Sequence, residues 1–489
     1  MALNRYQIIL FYFLVLSFSA IGTALFFDFP FLLAVPVVLG VVYLAVFHLD
    51  YLFEFIVLCT PLSINLEQLG EFGGIGFYLP TEPLLLGVTL LLIFRSLKKR
   101  RLDAKLLAHP ISLALMFYLT WIFITMFTST HVLVSIKFFI SKLWFILPIF
   151  YFGLTYFQST KKIKRFLWLY IGSLTIVIMY TLIRHASHSF GEDQGHWVMS
   201  PFFKDHTSYG AVLALIFPVV VLMFFLARDG IQKSLVGILI GIHLFGIFFS
   251  YTRAAYLSLA GSLVILGLIR YKIKFKYIGS VGLIVLSFLV FNWDQIWLDL
   301  NKNKMEHTTE EFGERLQSMS NVSTDASNLE RLNRWSCAAE MFQQRPMFGY
   351  GPGTYAFEYA PFQHQEDLTI ISTNFGNAGN AHSEYLGPLA ETGLLGMISM
   401  LIVVATIFYS GIKLYIALED PQLKMIIIAC ILGLFTYFAH GILNNYLDTD
   451  KASVPVWGFA ALIVATEYRM KKGLLKSNRE PVNNEDVID

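Results

Sequence analysis

Residues 209–227 read YGAVLALIFPVVVLMFFLA, a run without one charged side chain. A helix rising about 1.5 Å per residue needs about 20 apolar residues to cross the roughly 30 Å hydrocarbon core of a bilayer. This stretch is therefore read as a membrane-spanning helix. Comparable runs flank it near 7–27, 30–48, 50–63, 81–97, 110–128, 136–157, 166–184, 235–252, 254–270, 278–297, 384–410, 425–443 and 453–468. The run at 50–63 contains Glu54 and Pro61 and is short enough for a re-entrant or broken helix. The expected fold is an all-α, polytopic transmembrane helical bundle of about 12–14 spans. Composition agrees, because 489 residues that are 56% hydrophobic and 14% charged do not have water as their main solvent.

Charge placement orients these spans. Lys98-Lys99-Arg100-Arg101, Lys161-Lys162 with Lys164-Arg165, Arg270 with Lys272, Lys274 and Lys276, and Arg469 with Lys471-Lys472 each follow an apolar run. Counted through fourteen spans, all four clusters and both termini fall on one side. Lys and Arg accumulate in cytoplasmic loops, so that side is expected to be cytoplasmic. Two larger loops, 185–208 and 298–383, then lie outside. The second holds eleven acidic and six basic residues, which the external face accepts because positive charge controls orientation.

The expected organisation is an N-terminal membrane bundle over 1–297, a periplasmic loop unit over 298–383, C-terminal membrane helices over 384–468 and a cytoplasmic tail over 469–489. The tail's polar end from Lys476 reads as disordered. The apolar run beginning near Ile8 lacks a small-residue cleavage site and reads as a retained first span. Cys59, Cys337 and Cys430 are too few, and two of them too apolar in context, for a disulfide framework or a cysteine metal site. No cofactor and no nucleic-acid partner is expected; membrane lipids are.

Within the long loop, Leu329, Leu332, Trp335, Ala339 and Phe342 recur at helical spacing before Pro346, which predicts an amphipathic helix over Asn328–Gln344 lying on the bundle. Pro346-Met-Phe-Gly349-Tyr-Gly351-Pro-Gly353 follows as a turn-rich segment. Asn380-Ala-His382-Ser-Glu384-Tyr385 then leads into an apolar run containing Glu391-Thr-Gly393-Leu-Leu-Gly396. His382 is thus placed at a helix entrance.

These three elements, with Arg331-Leu-Asn-Arg334-Trp335, resemble the signature of the O-antigen ligase and polymerase superfamily over about 65 residues. A second resemblance is Ser250-Tyr-Thr-Arg253-Ala-Ala, where Thr252 and Ala254 stand in place of the family's usual Ser and Gly. A third is Ser200-Pro-Phe-Phe-Lys204-Asp205-His206-Thr-Ser-Tyr209-Gly210, near which Arg184 and Lys204 are the candidates for the family's basic residue. The resemblance implies a GT-C-like glycosyltransferase of a bacterial inner membrane, with its site on the periplasmic face. It would move a glycan from undecaprenyl diphosphate, with inversion and without metal, to a hydroxyl of lipid A core, of another lipid-linked glycan or of a protein.

The residue types suit that chemistry. A diphosphate leaving group gains negative charge, and a planar guanidinium can hold its oxygens; Arg253 is the first candidate. A neutral imidazole can take the acceptor's proton, a role that fits His382 and that a helix N-terminus would favour by disfavouring the charged ring. Arg331 and Arg334 share a helix face and either bind substrate or pair with Glu330 and Asp325. Lys137 and Lys142 face the lipid diphosphate or snorkel to the interface. Glu391 and Glu82 read as satisfying structural partners. His185, His188 and His196 match no strong metal spacing, and His243 and His440 read as core residues. A lipid-linked glycan transporter is the competing class, but it would favour internal repeats and midplane polar sites over polar motifs gathered at one face.

Overall fold

The computed structural model describes residues 5–66, 77–97, 103–272, 287, 315–364 and 379–475. Helices dominate: α1 (Arg5–Phe27), α2 (Ala34–Phe47), α3 (Leu49–Cys59), α4 (Thr81–Leu97), α5 (Ala104–Leu107), α6 (Pro110–Met126), α7 (Val132–Ile146), α8 (Gly153–Tyr156) and α9 (Thr160–Ala186). They continue as α10 (Glu192–Gly195), α11 (His206–Leu226), α12 (Gly230–Phe248), α13 (Arg253–Arg270), α14 (Arg315–Gln344), α15 (Tyr355–Glu358), α16 (Leu386–Ala417), α17 (Pro421–His440) and α18 (Asp450–Lys471). A short antiparallel pair, β1 (Ile64–Asn65) and β2 (Tyr78–Leu79), sets Ile64 opposite Leu79.

Eight described helices are long and apolar enough to cross a membrane. Thirteen of the fourteen expected spans coincide with helices; the expected span at 278–297 lies outside the described residues, as do the start of the long loop, residues 365–378 and the tail from Lys476. The bundle is a multi-pass membrane protein in its surface chemistry too. Phe18, Leu90, Ile183, Phe225, Leu257 and Ile416 are exposed large apolar side chains, whereas α11, α17 and α18 are buried along most of their length.

Helix starts follow local chemistry. Asp205, Asp229 and Asp420 cap α11, α12 and α17 by accepting from Ser208, Gln232 and Gln422 backbone N–H groups at 2.8–2.9 Å, and Pro110 and Pro421 occupy first-turn positions where no donor is lost.

Polar contacts stitch each end of the bundle. At one end Lys162 pairs with Asp50, Arg165 with Glu54, His109 and Lys471 with Glu467, and Lys472 with Asp103, while Arg469 donates to Thr160. The described basic residues of two clusters sit here. At the other end Lys451 and Asp450 meet Ser63, Thr130 meets Tyr350, Thr252 meets the His206 carbonyl, and Glu384 meets the chain after α17.

α16 is broken at Gly393, whose φ of +72° and ψ of −170° belong to a glycine-only region. The turn at 346–353 fills the break: Tyr350 and Gly351 N–H groups donate to the Ala390 and Glu391 carbonyls at 3.2 and 2.7 Å, and Leu394 N–H donates to Pro346 O at 2.9 Å. The Glu391 carboxylate accepts from Gly353 and Tyr355 N–H groups at 2.9 and 3.1 Å, the structural role expected for it.

The long-loop helix packs on α16 and is longer than its apolar periodicity predicted. Its buried face is also different. Glu330, Asn333, Arg334, Cys337, Ala338 and Met341 point inward, while Leu332, Trp335 and Phe342 are half-buried and Ala339 is exposed. The inward turn of polar residues is stabilised by an ion pair, Arg334 Nε to Glu330 Oε1 at 2.6 Å, which no apolar pattern reveals.

Replacing Gly393 by Ala forces a side chain into that backbone region and against the Met347 and Pro346 carbonyls. Gly393→Ala is expected to cost about 1–3 kcal/mol or more, read as a lower thermal midpoint in detergent; an unchanged midpoint would mean that the break is not required.

Candidate functional site

At the end opposite the basic clusters lies a cavity of about 580 Å³. Six segments wall it: β2, the chain into α11, the inner face of α14, residues 379–382, the loop between α17 and α18, and the first turn of α18. It brings together four residues singled out from the sequence, His382, Arg331, Arg334 and Lys204.

His382 precedes α16 by four residues and has a left-handed backbone, φ +46°. Its N–H donates to the Asn380 side chain at 3.0 Å, a local turn that supports this conformation. Burial first, then the Arg331 and Arg334 charges, press its pKa from 6.5 down to about 4, against a weaker upward pull from Glu330 and Asp205. The neutral form expected from sequence is thus favoured, but by burial and two guanidiniums in place of a helix dipole.

Arg334 is held on three sides. Glu330 takes its Nε, the Tyr359 ring lies 3.9 Å from its guanidinium carbon, and Gly379 leaves room for its Nη1 where any Cβ would collide. Arg334 is paired with Glu330, as one reading expected, and it also lines the cavity.

The remaining predicted residues stand elsewhere. Arg253 is exposed at the first position of α13. Its neighbour Thr252 donates to the His206 carbonyl at 2.8 Å, but Arg253 does not line the cavity. Arg184 bonds the Val198 and Ser200 carbonyls and stacks on Trp197, pinning the 185–208 loop. Lys142 is buried and donates to Leu447 O at 3.2 Å, whereas Lys137 is exposed on α7. Of the loop histidines, His185 bonds Gly191 O, His188 bonds Arg184 O, and His196 stacks on His206 with centroids 4.1 Å apart.

Sequence reading missed the loop between α17 and α18, which contributes Asn444, Asn445, Tyr446, Asp448 and Thr449 to the cavity. Its polarity between two apolar runs, NNYLDTD, was the available signal. The loop is pinned by one buried carboxylate: Glu384 Oε1 accepts from the Tyr437 hydroxyl at 2.6 Å and from the Tyr446 and Leu447 N–H groups at 2.7 and 2.9 Å. Lys451 forms part of the floor and is bonded to Ser63 Oγ at 2.6 Å and Ser63 O at 3.0 Å, beside Asp450 and over the Tyr78 ring.

Glu384→Ala strands the Tyr437 hydroxyl and the Leu447 N–H and leaves Tyr446 N–H only its 3.3 Å bond to the Tyr437 oxygen; each buried, unpaired donor costs about 1–3 kcal/mol. The variant is expected to lose thermal stability and to become cleavable by protease in the 441–449 loop. Wild-type resistance to cleavage there would show that this carboxylate does not hold the loop.

Residues 235–401 match the O-antigen ligase family. The match takes in Arg253, Arg331, Arg334 and His382, and leaves Lys204 and the 441–449 loop outside it. No curated protein matches the chain.

Proposed function

We propose that this O-antigen ligase-like membrane protein transfers an oligo- or polysaccharide from undecaprenyl diphosphate to an acceptor hydroxyl, with inversion and without metal. The observation that carries the reading is the convergence of His382 with Arg331, Arg334 and Lys204 in one cavity at the end away from the basic clusters. Because positive charge marks the cytoplasmic side, that end is the external, periplasmic one if the protein sits in a bacterial inner membrane.

In this mechanism Arg331, Arg334 and Lys204 hold the donor diphosphate, and Arg253 meets it from outside the cavity lining. His382 takes the acceptor's proton as the acceptor oxygen bonds the anomeric carbon. The bond from that carbon to the diphosphate oxygen breaks, and its electron pair leaves with the diphosphate, where the guanidiniums and the ammonium stabilise the added charge. Attack opposite the leaving group inverts the centre. The cationic side chains supply the charge compensation that a divalent ion provides elsewhere, so turnover is expected to persist in EDTA. The acceptor proposed first is a lipid A core sugar; a second lipid-linked glycan or a protein hydroxyl would be served by the same donor chemistry.

Donor binding also tunes the base. A diphosphate between the arginines and His382 offsets the charges that depress the imidazole, so its pKa rises towards working pH in the complex. Protonated imidazole cannot accept a proton, so activity falls as pH drops through that pKa. The acid limb of kcat/KM, which reports free protein, is therefore expected near pH 4. The acid limb of kcat should lie higher. Arg331→Gln removes a positive neighbour and should move the kcat/KM limb upward, and His382→Ala should lower turnover by about 10²–10⁴. A limb near 6.5 that ignores Arg331→Gln would remove the base assignment.

Orientation is checked separately. In a background lacking native cysteines, Ser187→Cys should label with an impermeant maleimide in intact spheroplasts, and Lys471→Cys only after lysis. The reverse pattern would put the cavity on the cytoplasmic face.

A further inference from the structure

The lining of the cavity is chemically mixed. Arg331, Arg334 and Lys204 bring cations to it, whereas the 441–449 loop presents carboxamides, hydroxyls and a carboxylate. The loop offers no positive charge to phosphate, and its groups match the donors and acceptors of sugar hydroxyls.

Two observations mark the loop as built for a ligand. Asn445 Oδ1 is fully buried, with no hydrogen-bond partner among the described residues. The backbone around it is fixed from several sides: Glu384 takes the Tyr446 and Leu447 N–H groups, Lys142 and Ser453 donate to Leu447 O, and Asn444 bonds His440 at 3.0 Å. A buried acceptor on a rigid frame is preorganised for a hydroxyl donor, and such a site discriminates strongly against a ligand that lacks the hydroxyl.

We propose that the 441–449 loop is the saccharide-recognition subsite of this cavity, in which Asn445 and Asp448 read the hydroxyls of the sugar bonded directly to the donor diphosphate. This rests on the transferase reading, which places the diphosphate at the arginines; the first sugar, one bond away, then meets the 441–449 loop, whose Tyr446 is an electrostatic neighbour of Arg331. Donor selectivity accordingly resides outside the region that matches the O-antigen ligases.

The test compares purified wild type, Asn445→Ala, Asp448→Asn and Arg331→Gln. Probes are undecaprenyl diphosphate, sugar-free or bearing a single N-acetylglucosamine or N-acetylgalactosamine; binding and transfer to a core oligosaccharide are both measured. Wild type should bind one sugar-bearing probe at least about tenfold more tightly than the sugar-free lipid. Asn445→Ala and Asp448→Asn should erase most of that preference while keeping sugar-free binding, and Arg331→Gln should weaken all three probes alike. Asp448 is exposed, so its variant keeps the test open if Asn445→Ala folds poorly. Unchanged sugar preference in both loop variants overturns the subsite, even where wild type transfers sugar. Absence of transfer by wild type with every probe overturns the transferase reading, while the binding comparison still decides the subsite.

Discussion

A helix that breaks inside a membrane protein frees backbone groups that must find partners, because apolar surroundings offer no water to replace them. Here the break is at Gly393, and the turn at 346–353 supplies the partners through Tyr350, Gly351 and Pro346. The Glu391 carboxylate locks the turn by taking two further N–H groups. Much else follows from this join. It anchors α14 over α16, and α14 carries Arg331 and Arg334 to the cavity that His382 enters from just before α16. Gly349 of the Pro-x-x-Gly-x-Gly turn and Gly393 of Glu-x-Gly-x-x-Gly are thus two halves of one scaffold, each fitted where a Cβ would strike carbonyl groups of the other segment.

The cavity's electrostatics depend on the same scaffold. Arg334 is restrained by its ion pair with Glu330, by the Tyr359 ring and by the space over Gly379, so its position beside the cavity is fixed. A buried guanidinium that is paired and stacked keeps a fixed fork of donors, which suits phosphate oxygens better than a flexible ammonium would. Burial and the two guanidiniums together hold the His382 imidazole in its neutral form well below neutral pH.

A second buried carboxylate, Glu384, holds the 441–449 loop, and Lys451 with Asp450 and Ser63 ties that loop to the chain that follows α3. The site is assembled from segments far apart in the chain, so its shape is a property of that whole end of the bundle.

The sequence by itself determined the membrane fold. The spans and the gathering of basic residues at one end were legible because desolvation and charge placement act within a single helix length. The motif also pointed to His382 and to the two arginines of α14. Only the tertiary structure decided which face of α14 turns inward: Glu330, Asn333, Arg334, Cys337, Ala338 and Met341 are buried, and the described residues of the apolar stripe read from periodicity are half-buried or exposed. It alone left Arg253 exposed outside the cavity lining and buried Lys142 against Leu447. It also brought the NNYLDTD loop into one cavity with the arginines. These outcomes rest on hydrogen bonds spanning tens to hundreds of residues, as with Lys142 and Leu447 or Ser63 and Asp450. A one-dimensional pattern records which groups are polar; only packing decides which of them meet.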